Sequence, residues 1–386
     1  MILTREEEDM LNGVYGDGLR RAMKIIVGLG KIENASRLID VKSAHISGVS
    51  YSNIGDEGLE FLEELASLNV KVRVPTTLNP CGIDLAKWRL MGVDDEYYSK
   101  QVKVIKAYEA LGVKATCTCT PYLHDNVPMR GDHIAWSESS AVIYANTFIK
   151  AYTNKESGIS ALASALTGKT AYYGLHDDEK RKPEIAVRAR FKVRGALEFS
   201  VLGYFTGRVS EARIPLILGA HPRTIPEKKQ FSAGLSASGS VGMALFKWGE
   251  ELETIDFDRD MFKSIINDLS VEDDFNILFL GCPHLCLEEI EEIARVVKGR
   301  RIVRGREVWL CTSRSIYTQA FNKGLIKIVE EAGLKVFVDT CLIVSPLKPI
   351  QVIGTNAVKT AHYIRSMHKA NVKIAEAIAL LRGVLE

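Results

Sequence analysis

Residues 276–341 open on Asn276-Ile-Leu-Phe-Leu-Gly-Cys282 and close on Leu334-Lys-Val-Phe-Val-Asp-Thr-Cys341. Each is a short apolar run that ends at a cysteine. Strands are expected over 276–280, 307–311 and 335–339. Helical spacing is expected over 259–269, 287–298 and 315–332. Strands and helices alternating at this spacing predict a parallel sheet. Such sheets bind their ligands at the carboxyl ends of the strands, which is where Cys282 and Cys341 stand.

A third cysteine junction lies upstream, in Ala115-Thr-Cys-Thr-Cys-Thr-Pro-Tyr-Leu123. A strand is expected over 113–119, ending ahead of Pro121. Cys117 and Cys119 would share a face of an extended strand. A turn before the proline leaves one of them to reach a ligand. The spacing is not the Cys-x-x-Cys of redox pairs. Three cysteines at strand ends, distant in sequence, suit an iron–sulfur cluster with one iron open to substrate. Taken alone, the residues favour the plainer reading, because cysteines are among the most buried residue types. Cys286 and Cys311 read as core residues, and Cys81 fits either role.

The bulk properties narrow the class. The chain has 386 residues, enough for two or three domains and a large core. Its 50 basic and 48 acidic side chains leave a net charge of +2, which gives no general case for nucleic-acid or membrane binding. No apolar run approaches the roughly 20 residues that span a bilayer. Residues 1–10 carry no secretory pattern. Seven scattered cysteines then suit a cytoplasmic protein with reduced thiols.

From the amino terminus, helices are expected over 4–12, capped by Thr4, and over 20–29, stopped by Gly28 and Gly30. A strand over 38–46 runs into the turn Ser47-Gly-Val-Ser-Tyr-Ser52. A helix over 56–68 leads to a strand over 70–74, which runs into Pro75-Thr-Thr-Leu-Asn-Pro-Cys81. Further helices are expected over 95–111, 137–151, 157–167 and 196–206. Strands are expected over 185–193 and 214–219. Residues 233–243, rich in Gly, Ala and Ser, read as a loop that holds a phosphate or lets backbones pack closely, and 369–385 as a last helix. The domains are placed at 1–125, 126–255 and 256–386.

Several polar loops compete as binding sites. Ser139 and Ser140 open a helix, where hydroxyls cap in most proteins and bind anions in some. Gly48-Val49-Ser50 and Asn79-Pro80 sit after two adjacent strands. They serve as ordinary turns or present amides, a hydroxyl and a carboxamide to one ligand. Lys359 follows a Gly-Thr-Asn turn and suits an anion. No His pair has the His-Glu-x-x-His zinc spacing, and Gly28-x-Gly30 is not the dinucleotide fingerprint. Ala163 stands where a phosphate loop ending in Gly168-Lys-Thr170 needs its first glycine.

Five of these segments together carry a resemblance. Ser47-Gly-Val-Ser-Tyr, Pro75-Thr-Thr-Leu-Asn-Pro, Cys119-Thr-Pro-Tyr-Leu, Trp136-Ser-Glu-Ser-Ser-Ala and Gly281-Cys-Pro-His are similar, in this order, to the aconitase X family. The resemblance runs over essentially the whole chain. It implies an α/β fold like the first three domains of aconitase, with mostly parallel sheets and the active site between domains. It implies a [4Fe–4S] cluster on Cys119, Cys282 and Cys341, with one iron open. It implies a hydro-lyase removing water from (R)-5-phosphomevalonate to give trans-anhydromevalonate 5-phosphate, in the archaeal mevalonate route to isoprenoids. The substrate contacts it implies are Gly48, Val49, Ser50, Asn79, Pro80, Ser139, Ser140 and Lys359.

The implied chemistry needs a Lewis acid for the departing hydroxide and a base for the proton beside the carboxylate. In aconitase-like enzymes a serine of a swivelling fourth domain is that base. No such domain is evident before Glu386, so the resemblance implies a separate small subunit and a heterodimer. Ser50 is a substitute base of lesser promise. Three readings compete: a hydroxyproline dehydratase, an aconitase or isopropylmalate isomerase large subunit, and a non-catalytic binding protein with core cysteines. The isomerase reading lacks the Cys-x-x-Cys ligand pair. Three cysteines would also suit a [2Fe–2S] cluster or mononuclear iron.

Overall fold

A computed structural model of the chain describes residues 1–346 and 351–386. It divides into two compact units. The first comprises Met1–Leu85 and Asp94–Lys182, the second Ala86–Val93 and Pro183–Glu386.

In the first unit, helix α1 (Arg5–Asn12) begins at Thr4, whose hydroxyl and the Glu7 carboxylate form a reciprocal capping box. Helix α2 (Asp17–Ile32) buries Leu19, Ala22, Met23, Ile26, Val27 and Gly30 along one stripe. It runs past Gly28 and Gly30, because that stripe continues through the place where a stop was expected. The expected strand over 38–46 is two short strands, β1 (Leu38–Asp40) and β2 (Ala44–Ile46). Helix α3 (Tyr51–Ser67) is broken at Gly55 and leads to strand β3 (Thr76–Leu78). The alternation over 70–74 forms no strand. Pairing begins one residue after Pro75, which lacks the amide a ladder needs.

Helix α4 (Asp95–Ala110) follows. The run 113–119 is not a strand; it follows β3 through an isolated bridge at Lys114, the Thr116 hydroxyl on Leu78, and the Thr118 amide on the Leu78 carbonyl. Strand β4 (Ala135–Trp136) precedes helix α5 (Ser139–Tyr144), then a π-helical turn (Ala145–Ile149). Helix α6 (Gly158–Thr167) and strand β5 (Lys169–Ala171) complete the unit. Its central sheet is parallel in the order β3-β2-β4, and β1 pairs antiparallel with β5. Helices α2, α3, α4 and α6 supply a core that includes Met23, Ile26, Leu62, Val104 and Leu166. Each such side chain removed from water contributes roughly 1.5–3 kcal/mol.

The second unit holds two parallel sheets. Strands β6 (Ile185–Ala189), β7 (Pro215–Leu218) and β8 (Thr254–Phe257) form one, ordered β7-β6-β8. Helices α7 (Gly195–Ser210) and α8 (Ile225–Ser238) connect them. The small residues expected as a loop at 233–243 lie largely in α8. They let its backbone meet α7. A Cβ on Gly203 would overlap the Phe231 carbonyl, and one on Gly234 the Ser200 carbonyl.

Beyond α9 (Arg259–Leu269), the sheet read from the sequence is present and larger. Strands β9 (Ile277–Leu285), β10 (Glu307–Thr312), β11 (Lys335–Val338), β12 (Val352–Thr355) and β13 (Asn371–Ile374) run parallel in the order β11-β10-β9-β12-β13. Helix α10 (Leu287–Val297) joins β9 to β10. The expected helix over 315–332 is two, α11 (Arg314–Asn322) and α12 (Leu325–Glu331), parted by Gly324 at φ +73°. The expected last helix contains β13 and the short α14 (Ala377–Arg382), after α13 (Val358–Met367).

Candidate active site

All strands of a parallel sheet point their carboxyl ends to one edge, so loops distant in sequence meet there. In the first unit this edge carries Gly48-Val49-Ser50 after β2, Asn79-Pro80 after β3, and Ser139-Ser140 after β4. The loops are bonded to one another. The Ser47 amide donates to Ser137 Oγ at 2.5 Å, and Ser137 Oγ donates to the His45 carbonyl at 2.8 Å. The Asn79 amide donates to the Ile46 carbonyl, and Asn79 Nδ2 donates to Glu138 Oε2 at 3.1 Å. Gly48 turns the chain with φ +76°.

The side chains differ in what they offer. Ser50 is 1% exposed, and its Oγ lies 3.1 Å from the Tyr97 hydroxyl. Ser140 donates to Glu138 Oε1 through both its hydroxyl and its amide, at 2.7 and 3.2 Å. The start of α5 is therefore already capped by a carboxylate. Ser139 is half-buried beside it. Asn79 Oδ1 is buried, makes no well-formed hydrogen bond and has the His45 ring as its neighbour. Beneath this edge, His45 Nδ1 meets Thr77 Oγ1 at 2.8 Å, and burial lowers the imidazole to about 4, so it is neutral at pH 7.

Cys119 belongs to the same edge, because its neighbour Thr118 bonds the end of β3. Cys117 adopts φ +43° and joins the hydrophobic core, whereas Cys119 does not. The left-handed turn at Cys117 separates two residues that would share a face in a strand.

The corresponding edge of the second unit's larger sheet carries Cys282, Cys341 and Lys359. Leu280 pairs with Leu310 and Leu285 with Thr312. Residues 281–284 of β9 thus stand opposite Cys311 alone, and Cys282 rides on this bulge. Cys341 follows β11. Lys359, 9% exposed, lies in the first turn of α13, just past β12. All seven cysteines are buried. Burial pushes the Cys286 thiol up, keeping it protonated, and Cys81 donates its S–H to the Ile83 carbonyl at 3.0 Å. Cys286 is therefore ill suited to binding metal as a thiolate.

Within either unit, no group of three or more His, Cys, Asp or Glu among the described residues is arranged to hold a metal ion. A 780 Å³ cavity in the second unit is lined by Glu227, Glu288, Glu289, Glu292 and Glu376. Its acidity suits an anion poorly. Sequence reading missed Glu138, which joins two of the loops, and Tyr97. Glu138 lies inside a quoted motif but resembles an ordinary cap. Tyr97 lies on an amphipathic helix with no local signal.

Models of the aconitase X first, second and third domains match residues 1–179, 183–267 and 275–385 in succession. The chain belongs to the aconitase X family. The crystal structure of Thermococcus kodakaraensis aconitase X (holo-form) superposes with a TM-score of 0.93 at 38% identity, covering 100% of both chains. The aconitase-like three-domain α/β fold expected from the sequence is thus present. The phosphomevalonate dehydratase large subunit of Methanocaldococcus jannaschii is 39% identical over 99% of this chain and 100% of that protein. The cis-3-hydroxy-L-proline dehydratase of Pseudomonas aeruginosa is 30% identical over 96% of this chain and 67% of that protein. No helix among the described residues is long and apolar enough to cross a membrane.

Proposed function

We propose that this chain is the large subunit of a hydro-lyase that dehydrates (R)-5-phosphomevalonate to trans-anhydromevalonate 5-phosphate, in the mevalonate route to isoprenoids. The observation that carries the choice is the higher identity, over nearly the whole chain, to one set of relatives. Five archaeal phosphomevalonate dehydratase large subunits are 36–40% identical, with 93–100% of each covered. The hydroxyproline dehydratases are 30–31% identical.

The donor chemistry fits an iron–sulfur cluster. Cys282 and Cys341 are buried thiols at one sheet edge, and the ligand set we propose adds Cys119, also a buried thiol. When bound, a [4Fe–4S] cluster with three cysteine ligands leaves one iron as a Lewis acid for the departing hydroxyl. The chain's own residues bind and orient. Gly48, Val49 and Pro80 shape the backbone wall of the cradle. Ser50, Asn79, Ser139 and Ser140 supply polar contacts to the substrate. Lys359 pairs with one of its two anionic groups. Glu138 keeps Asn79 and Ser140 in place. The base sits on a small-subunit partner, so the working enzyme is a heterodimer. Its reduced, buried thiols suit the cytoplasm.

Anaerobic reconstitution tests the reading. Brown protein is expected in the wild type and in Cys286→Ser, and loss of iron in Cys119→Ser, Cys282→Ser and Cys341→Ser. Adding 5-phosphomevalonate should perturb the cluster spectrum. A colourless protein, or a perturbation by cis-3-hydroxy-L-proline alone, would contradict it.

A further inference from the structure

The bulge at 281–284 has few ladder partners, because four residues face one across the sheet. Its backbone must find partners elsewhere. Two side chains supply them, and a third reaches out from the bulge itself. Gln230 on α8 donates from Nε2 to the Cys282 carbonyl at 3.0 Å. Its neighbour Lys229, wholly buried, donates from Nζ to the His284 carbonyl at 2.7 Å and pairs with Glu289. His284, also wholly buried, lies within 2.8 Å of the Thr340 carbonyl through Nε2. A carbonyl accepts, so Nε2 carries the proton.

The targets are specific. One bond ends on the carbonyl of Cys282. Another ends on the carbonyl of Thr340, which belongs to the peptide bond leading into Cys341. The third closes the bulge two residues after Cys282. Through His284 the bulge of β9 is tied to the segment after β11, across the intervening strand β10.

We propose that Gln230, Lys229 and His284 are positioning residues, which hold Cys282 and Cys341 at the fixed separation an iron–sulfur cluster needs. This rests on reading those two cysteines as ligands. The three side chains do not touch the reacting atoms. They act through the peptide groups that carry the sulfurs, as outer partners do at other metal centres.

The test uses the full chain, reconstituted anaerobically. The readouts are the rate of cluster loss to a chelator, the electron paramagnetic resonance spectrum of the cluster, and thermal unfolding of the cluster-free protein. Gln230→Met and His284→Leu each remove one donor at similar volume. Both should lose the cluster about tenfold to a hundredfold faster and show an altered spectrum. Lys229→Met should act in the same direction. His284→Gln keeps an amide donor near the Nε2 position and should restore slow loss. Ser232, buried on the same helix and bonded to the Lys228 carbonyl within it, provides a control, and Ser232→Ala should match the wild type.

Wild-type rates in Gln230→Met and His284→Leu would overturn the proposal. So would His284→Gln failing as badly as His284→Leu, since packing rather than the hydrogen bond would then matter. Cys282→Ser separates the two layers. If it keeps the cluster as firmly as the wild type, the ligand reading fails. If it loses the cluster while Gln230→Met and His284→Leu keep it, only the positioning role fails.

Discussion

Asn79 shows how much a single residue reveals. Its Nδ2 is taken by Glu138, while its buried Oδ1 makes no well-formed hydrogen bond and has the His45 ring as its neighbour. Leaving such an acceptor unmet costs about 1–3 kcal/mol, a cost offset when a ligand supplies the donor. Asn79→Ala is therefore expected to raise KM for substrate by about tenfold, a loss of about 1.4 kcal/mol, with little change in Tm. Steady-state kinetics beside thermal unfolding checks this, and an unchanged KM would remove Asn79 from the binding set. The placement of Gly48, Ser50, Asn79, Ser139 and Ser140 in turns and at a helix start was legible because such chemistry is local. Glu138 and Tyr97 were not, because their contacts join segments far apart in sequence.

At the scale of elements, alternation read the second unit's large sheet well and the first unit's short strands poorly. Strands of two or three residues carry too little pattern to fix their bounds. Val70–Val74 alternates yet pairs with no strand, and pairing falls on Thr76–Leu78 after the proline. The strand expected to stop at residue 280 continues to Leu285 through its bulge, which no period could show. The small residues at 233–243 signal close backbone packing, but they do so from within helix α8 up to Ser238 rather than from a loop. Gly234→Ala tests that packing, because the added methyl would overlap the Ser200 carbonyl across the helix pair. We expect a loss of about 1–3 kcal/mol, typical of overpacking, read from thermal or denaturant unfolding. Unaltered stability would mean that α7 and α8 part without cost.

For the whole molecule, the buried histidines of the first unit set a pH limit. Burial lowers His45 to about 4 and His176 to about 3, below the ordinary 6.5. Both fold as neutral rings, so the unfolded chain binds more protons at mildly acid pH. Their contribution is full above about pH 6.5 and is lost as pH falls through about 4, on the order of 3 kcal/mol for His45. Tm should fall over that range, and His45→Gln should flatten the profile; an equally steep profile in the variant would exclude His45 as a source.

The two sheet edges, each bearing ligand and substrate candidates, supply binding groups but no assigned base. The central claim is a dehydratase completed by a second chain. Its most direct test is anaerobic turnover of (R)-5-phosphomevalonate by the reconstituted chain alone and with the small subunit added. The account predicts trans-anhydromevalonate 5-phosphate only when both chains are present. Product from this chain alone would contradict the split site and promote Ser50 to base, and no product from either would contradict the substrate.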